Sequence, residues 1–484
     1  MSTSHPRTTW AGQVGWLRRA ASFPLLAGRA LHWRTGHWLP SYLAHHRPFD
    51  VRALPANAPI DLIVLVVDHF EPAVDDAPEA AIESVVTWCK AYEDIADACQ
   101  DADGRRPQHS WFYAADNPVF GCLQALSDSA FRGYGEVDFH LHHGHDTHET
   151  FAAKLDSGLQ WFNSAGAMLT AEETPRGRFG YIAGNWALDN GAGHDAWSGC
   201  NTELIALREA GCYADFTFPA LASPAQPRKT NAIYYATDTP GPKSYDSGID
   251  VEVGRPATGD LMIFQGPLLL DWYSGKIEDS ALEFASVPNA ARMDAWLRAN
   301  VHVKGRPEWI FVKLHTHGMQ ARNMFLSPAI ETMFRMMCER WNKPPFRLHF
   351  VTAREAYNIV KAAEAGMQGD PNDYRDYLTP PPANRRIRCN RPWRLLHYTT
   401  DRISLEILQP GQVEVHFAAG PLRLARGKIR RIDLRYQQET VTELKIDGEG
   451  EFDVQAARRS CETRPGHSIT EENSPRFTSS SVPG

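Results

Sequence analysis

Residues 58–70 read "APIDLIVLVVDHF". Six consecutive aliphatic side chains follow Asp61, with no polar residue until Asp68. A half-exposed strand would alternate apolar and polar positions. An unbroken run of this kind predicts a strand buried on both faces, as in a parallel sheet. The run ends in Asp68 and His69, and a carboxylate placed directly after buried aliphatics is costly unless it is paired or bound to a metal.

The segments that follow repeat the alternation of strand and helix. A helical period runs through 79–104, then an aromatic strand over 108–117 and a helix over 121–135. Further strands are expected at 136–144, 178–186, 213–219, 261–270, 308–318 and 346–355. Helices are expected at 147–169, 200–212, 289–303 and 327–341. Strands alternating with helices over some 300 residues imply an α/β fold with a parallel sheet. The polar residues Asp68, His69, His140, His142, Asn185, Asp215, His315 and His317 all fall at or just beyond predicted strand C-termini, where the active sites of α/β barrels lie. The expected architecture is therefore a parallel-stranded (β/α) barrel, distorted or seven-stranded, over residues 56–380.

Residues 228–260 are rich in Gly, Pro and Asp and read as a long insertion or hairpin capping the site. "LTPPPANRR" (378–386) reads as a linker. Short alternating strands over 384–456 predict a small antiparallel β module. Residues 457–484 are Ser-, Pro- and Glu-rich without periodicity and are expected to be disordered. The first 55 residues form a basic, Trp-rich arm: the first fifty carry six Arg, four Trp and one acidic residue. It is read as an arm packed on the domain surface, with peripheral membrane contact through residues 10–40 as the alternative.

The 484 residues are 43% hydrophobic and 22% charged with a net charge of −8, so a sizeable core is expected and nothing in the balance favours nucleic acid. Eight scattered cysteines form no C-x-x-C pair, which argues against zinc ribbons and fits a reducing compartment. With no membrane span or signal peptide read in the chain, a cytoplasmic protein, peripheral at most at the inner membrane face, is expected.

Histidines carry the chemistry. "EVDFHLHHGHDTHETF" (136–151) holds five within nine positions. On a strand, residues i and i+2 share a face, so His140 and His142 project together at a spacing suited to one divalent ion. His143 and His148 are read as solvated loop residues. "FVKLHTHG" (311–318) repeats the spacing with His315 and His317.

Taken in order, "VVDHFEP", "EVDFHLHHGHD", "RFGYIAGNW" and "FVKLHTHG" resemble the motif series of the polysaccharide deacetylase (NodB-homology, carbohydrate esterase) family, and "AGCYADFTFP" resembles the stretch after its third motif. The resemblance covers roughly residues 60–360. It departs from the family pattern in three places. The second histidine, usually four residues on, would be Gly144, which leaves His142, His143 or a neighbour for that role. His69 stands where a second aspartate is usual, unless the register slips by one. Asn185 and Trp186 replace the usual proline. The resemblance implies a metal-dependent hydrolase, holding Zn²⁺ or a similar ion, that removes acetyl groups from an N- or O-acetylated glycan. It implies Asp68 as base or ligand, His69, His140 and His142 as ligands, and His315 as general acid. Asn185, Trp186, His317 and Tyr113 are expected to contact substrate. The alternatives are a glycoside hydrolase using Asp68 with Asp215 or Asp271, and a non-catalytic glycan-binding barrel.

Overall fold

The computed structural model describes residues 34–54, 59–72, 77–169, 178–271, 276–284, 286–399, 401–409, 411–418, 422–437 and 440–456. The expected strand is β1 (Ile60–Phe70), and all eleven of its residues are buried. It is followed by β2 (His109–Ala114), β3 (Gly135–Leu141), β4 (Phe179–Ala183), β5 (Cys212–Asp215), β6 (Ala232–Ala236), β7 (Ile249–Asp250) and β8 (Leu261–Gln265). After a small β9–β10 pair (Leu269–Asp271, Lys276–Glu278) come β11 (Trp309–Thr316) and β12 (Phe346–Phe350).

The main sheet has the order β11-β1-β2-β3-β4-β5-β8-β6-β7, and β12 adds to β1 beside β2. Pairing is parallel from β11 to β8 and antiparallel at β6 and β7. β1 has neighbours on both edges. β11 lies along one edge from Asp61 to Asp68, while β12 pairs with Ile60–Val64 and β2 with Val66–Phe70. Both edges and both faces are thereby covered, which is the physical reason for the unbroken apolar run.

Two expectations need correction. The ladder does not close into a barrel among the described strands, because β11 and β7 stand at its two ends. Irregular backbone spans the gap instead: Phe311 N–H donates to Val301 O (2.8 Å), Lys304 N–H to Val251 O (3.0 Å) and Val251 N–H to Ile233 O (2.9 Å). Residues 228–260 are also more than an insertion, since they supply β6 and β7 to the sheet. The short run "AIYYA" has strand chemistry, but it is set among Gly and Pro that read as loop.

Helices α1 (Thr35–His45), α2 (Pro78–Ala96), α3 (Phe120–Phe131), α4 (His148–Asn163), α5 (Glu203–Glu209), α6 (Ala290–Ala299), α7 (Arg322–Phe325), α8 (Pro328–Trp341) and α9 (Ala353–Glu364) complete the α/β body. The alternation of β1 divides the core. Leu62, Val64, Val66 and Phe70 join one cluster with α2, α3, α4 and α8. Ile63, Leu65 and Val67 join a second with Phe112, Ile182, Phe264, Phe311 and the apolar face of α9. We call the side of the second cluster the inner face.

The arm is partly described. Trp38 and Tyr42 on α1 are buried against Leu221, Leu268 and Leu270, so Trp38 is turned into the protein; residues 10–33 of the expected membrane-contacting stretch lie outside the described residues. No described helix is long and apolar enough to cross a membrane. The proline-rich segment is packed rather than free: Thr379 O accepts from Arg354 and Asn358, and Ala383 and Asn384 are buried.

A second sheet of six antiparallel strands follows: β13 (Ile387–Cys389), β14 (Trp393–Tyr398), β15 (Arg402–Ile407), β16 (Val413–Ala418), β17 (Leu422–Gln437) and β18 (Thr440–Ala456). It has a core of its own around Trp393, Ile403, Leu405, Val415 and Ile432. The expected disordered tail, residues 457–484, lies outside the described residues.

Candidate metal centre

β1 continues as a strand to Phe70, so Asp68 and His69 face opposite ways. This single fact separates two residues that the sequence placed in one site. Asp68 is turned toward the helices. Its Oδ2 meets His109 Nε2 at 2.8 Å and its Oδ1 accepts the Gly318 N–H at 2.6 Å. Both oxygens are engaged in tying β1 to β2 and to the turn after β11. The assignment of Asp68 as base and ligand is therefore corrected: it is a buried structural carboxylate.

His69 is on the inner face. β1 and β11 run in parallel register, with Asp68 opposite Thr316, so His69 and His317 are neighbours one step further on. Their rings stack at 4.4 Å between centroids, close to the strand spacing. The ring of His140 lies 5.0 Å from that of His69, and the ring of His142 4.6 Å from that of His140.

Glu71 was not foreseen, although it follows His69 by the same i, i+2 rule that paired His140 with His142. Its Oε1 lies 3.1 Å from His140 Nε2 and 3.6 Å from His142 Nε2, and its Oε2 accepts from Gln320 at 2.7 Å. β2 runs between them. Its Ala114 is level with His140 and, one step past the last β1 pair, with Glu71. A methyl group there leaves the carboxylate and the imidazole free to meet.

His69, Glu71 and His317 offer ligand atoms all within 4.8 Å of one another, and so do Glu71, His140 and His142. The hydrogen bonds behind these rings have the pattern of metal-bound histidines, whose second nitrogen is held by a carbonyl or carboxylate. His140 Nδ1 meets Ile182 O at 2.9 Å, His142 Nδ1 meets Asp116 at 3.3 Å, and His317 Nδ1 meets Glu283 at 2.5 Å. If those Nδ1 atoms donate, the Nε2 lone pairs of His140 and His142 both face the Glu71 carboxylate. Lone pairs opposed to a carboxylate call for a cation between them.

Electrostatics agree. Burial, then the neighbouring imidazoles His317 and His140, drive His69 well below the usual imidazole range. Burial opposes the Glu71 charge, but the His140 hydrogen bond and the surrounding imidazoles hold its carboxyl below the usual value. Burial likewise opposes charge on His142 and His317, yet Asp116 lifts the first and Glu283 the second above the usual value. Among the described residues, Glu71, Asp116 and Glu283 form ion pairs with histidines and with no Lys or Arg. Another trio with similar spacing, Asp103, His349 and Asp370, differs on this point. Arg375 reaches Asp103 and Arg347 reaches Asp370, so two guanidinium groups already supply the positive charge.

A cavity of about 190 Å³ opens beside the histidines, lined by Trp186, Leu221, Asp279, Glu283, His315 and His317. It is smaller than the roughly 300 Å³ lower limit for drug-sized ligands, so it suits a small group. Asn185 and Trp186 both have positive φ (53° and 56°), a backbone strain that persists only where the surroundings impose it. The turn aims the indole at His69 and His317, 6.2 and 5.9 Å away between centroids. Lys313 ties β11 to the segment after β5 by donating to Phe216 O (2.7 Å) and to Phe218 O. Burial, with Glu278 nearby, raises the Asp279 carboxyl to about 6. Asp279 and Glu283 come from the loop after β10 and had no motif to reveal them. A larger cavity of about 700 Å³, between α1 and residues 228–250, contains none of the clustered histidines.

The remaining expected site residues are placed as follows. His315 lines the cavity with its Nδ1 3.4 Å from Ser280 Oγ, and burial pushes it down to about 3, so it is neutral at pH 7 and unsuited to the expected general-acid role. Tyr113 is not a substrate contact: it is fully buried, donates to Asn117 O at 3.0 Å and packs on Phe70 and Trp161. His143 is held between Asp146 and Glu203 and stacks on Phe151, while His148 meets Thr202 Oγ1 at 3.0 Å. Neither joins the cluster. The carboxylates of the glycosidase alternative do not assemble, since Asp68 is engaged as above and Asp215 accepts from Thr217 Oγ1 at 2.6 Å. The side chain of Asp271 lies outside the described residues.

In comparisons with known proteins, no family model matches the chain and no curated protein matches it. The functional reading rests on the geometry and on the motif resemblance.

Proposed function

We propose that the protein is a metal-dependent hydrolase that removes acetyl groups from an N- or O-acetylated sugar or polysaccharide. The observation that carries this reading is the convergence of His69, Glu71, His140, His142 and His317 at the strand C-termini, with the second nitrogen of three of the rings already held. The donor set, imidazole plus carboxylate, suits Zn²⁺. A divalent ion held there supplies Lewis acidity toward a carbonyl and lowers the pKa of water.

The protein's own residues do the rest. Ile182 O, Asp116 and Glu283 fix the ring orientations of His140, His142 and His317. Trp186 walls the cavity and shields it from bulk solvent, with its indole face available to a sugar ring. The role first given to Asp68 passes to Asp279. Its carboxyl, raised to about 6, is mostly ionised at pH 7 and takes the proton of the attacking water. The C–N or C–O bond to the sugar breaks, acetate leaves, and the proton goes to the departing sugar nitrogen or oxygen.

The test is acetate release from acetylated oligosaccharides by the purified protein, before and after dialysis against a chelator, together with elemental analysis. Release that is lost on chelation, restored by Zn²⁺ and absent in His140→Ala supports the reading. Protein that purifies without a divalent ion and binds none overturns it.

A further inference from the structure

We infer that the centre holds two divalent ions, bridged by the Glu71 carboxylate. The inference rests on the metal reading above and goes beyond it. The five donors do not fall within one shared span. They form two sets, His69–Glu71–His317 and Glu71–His140–His142, each with ligand atoms within 4.8 Å, and Glu71 alone belongs to both. Tetrahedral zinc with bonds of about 2.0–2.1 Å sets its donors roughly 3.4 Å apart; each set is compact enough to close on one ion by small side-chain movements, and all five together are not. Glu71, the residue after β1, lies between the two sets, facing His140 and His142 on one side and the stacked His69–His317 pair on the other.

A second observation points to a ligand in the half of the site farther from the 140–142 pair. His69 is 3% exposed, and among the described residues neither of its ring nitrogens has a hydrogen-bond partner. Its ring stacks on that of His317, and one of its nitrogens lies within 4.8 Å of a Glu71 oxygen. The charge points the same way. Three carboxylates, Glu71, Asp116 and Glu283, surround neutral-capable histidines with no Lys or Arg ion-paired to them among the described residues. One divalent ion leaves this group net negative, and a second reverses the sign.

The test uses the full-length protein stripped by chelator and titrated with Zn²⁺ by calorimetry, with elemental analysis at saturation. Wild type is expected to bind two equivalents. His142→Ala and His317→Ala, on opposite sides of Glu71, are each expected to retain one. Circular dichroism checks that the variants are folded. Mn²⁺-loaded wild type adds a readout that needs no variant: two bridged ions give an exchange-coupled paramagnetic resonance signal. One equivalent in wild type, with an isolated-ion Mn²⁺ signal at saturation, overturns the two-ion inference and leaves a one-ion hydrolase intact. No bound ion at all overturns both.

Discussion

At the scale of single residues, Asp68 and His69 show how one peptide unit divides structure from chemistry. Asp68 joins His109 to Gly318, and His69 joins the histidine cluster. Asp68→Asn keeps an acceptor for the Gly318 N–H but loses the charged partner of His109. It is expected to lower stability by about 1–3 kcal/mol in chemical denaturation while leaving bound zinc unchanged. His69→Ala is expected to do the reverse, losing one equivalent of zinc with little change in melting. Equal zinc loss in both variants would contradict the division. Asp279 gives a kinetic prediction. As a base it must be ionised, so kcat/KM is expected to rise as pH rises through about 6 and then level off. Asp279→Asn is expected to lose that limb and about 10²–10⁴-fold in rate, with zinc content unchanged. His349 gives a thermodynamic one. Burial disfavours its charge, but Asp103 and Asp61, at 2.8 and 2.9 Å, raise it to about 9. Its folded-state pKa lies above the unfolded value, so the stabilisation is full below about pH 6.5 and is lost as pH rises through about 9. Melting temperature followed from pH 6 to 10 is expected to fall more steeply in wild type than in His349→Gln.

At the scale of elements, legibility followed periodicity. The β1 run, the helices and both i, i+2 histidine pairs could be read because a strand repeats every two residues and a helix every 3.6. Where a feature depended on strand extent or loop placement, the sequence was silent. The cost of burying the Asp68 carboxylate pointed to a metal beside it, and that cost is instead met by His109 and a backbone N–H from distant segments. Glu71 was within reach, as it shares a face with His69. Asp116, Asp279 and Glu283 sit on loops with no repeating pattern, and only the fold brings them to the histidines. Sheet closure was illegible for a related reason: β6 and β7 are short runs inside a Gly- and Pro-rich segment. The elements also predict which small residue matters. Ala114 on β2 separates Glu71 from His140 by a methyl group. Ala114→Leu inserts three carbons into that gap and is expected to weaken zinc binding on the order of 10–100-fold, the range seen when ligand orientation is disturbed. Competition with a chromogenic chelator measures this, and unchanged affinity would show that the gap is not needed.

At the scale of the whole molecule, the second sheet is joined to the α/β body through a short stretch of contacts that does not include the histidines. Trp393 N–H donates to Ser164 O at 2.9 Å, Asn384 N–H to Gly166 O at 2.9 Å, and Arg388 pairs with Asp128 at 2.6 Å. Gly166 is the tightest point. Its φ is +67°, and a Cβ built on it would overlap the Trp393 indole. Gly166→Ala thus imposes two costs: about 1–2 kcal/mol for a left-handed backbone with a side chain, and about 1–3 kcal/mol for overpacking against a buried ring. Arg388→Ala removes a partly exposed ion pair, for which at most about 1 kcal/mol is expected. The glycine substitution should therefore lower the melting temperature clearly more than the arginine substitution does. It should also speed proteolysis between residues 386 and 392 while leaving bound zinc unchanged, because the histidine cluster is built from β1, β3, β11 and their following turns. If Gly166→Ala melts like wild type, the second sheet does not depend on this contact; if it loses zinc as well, the two sheets are coupled in a way the separate cores around Trp393 and around β1 do not explain.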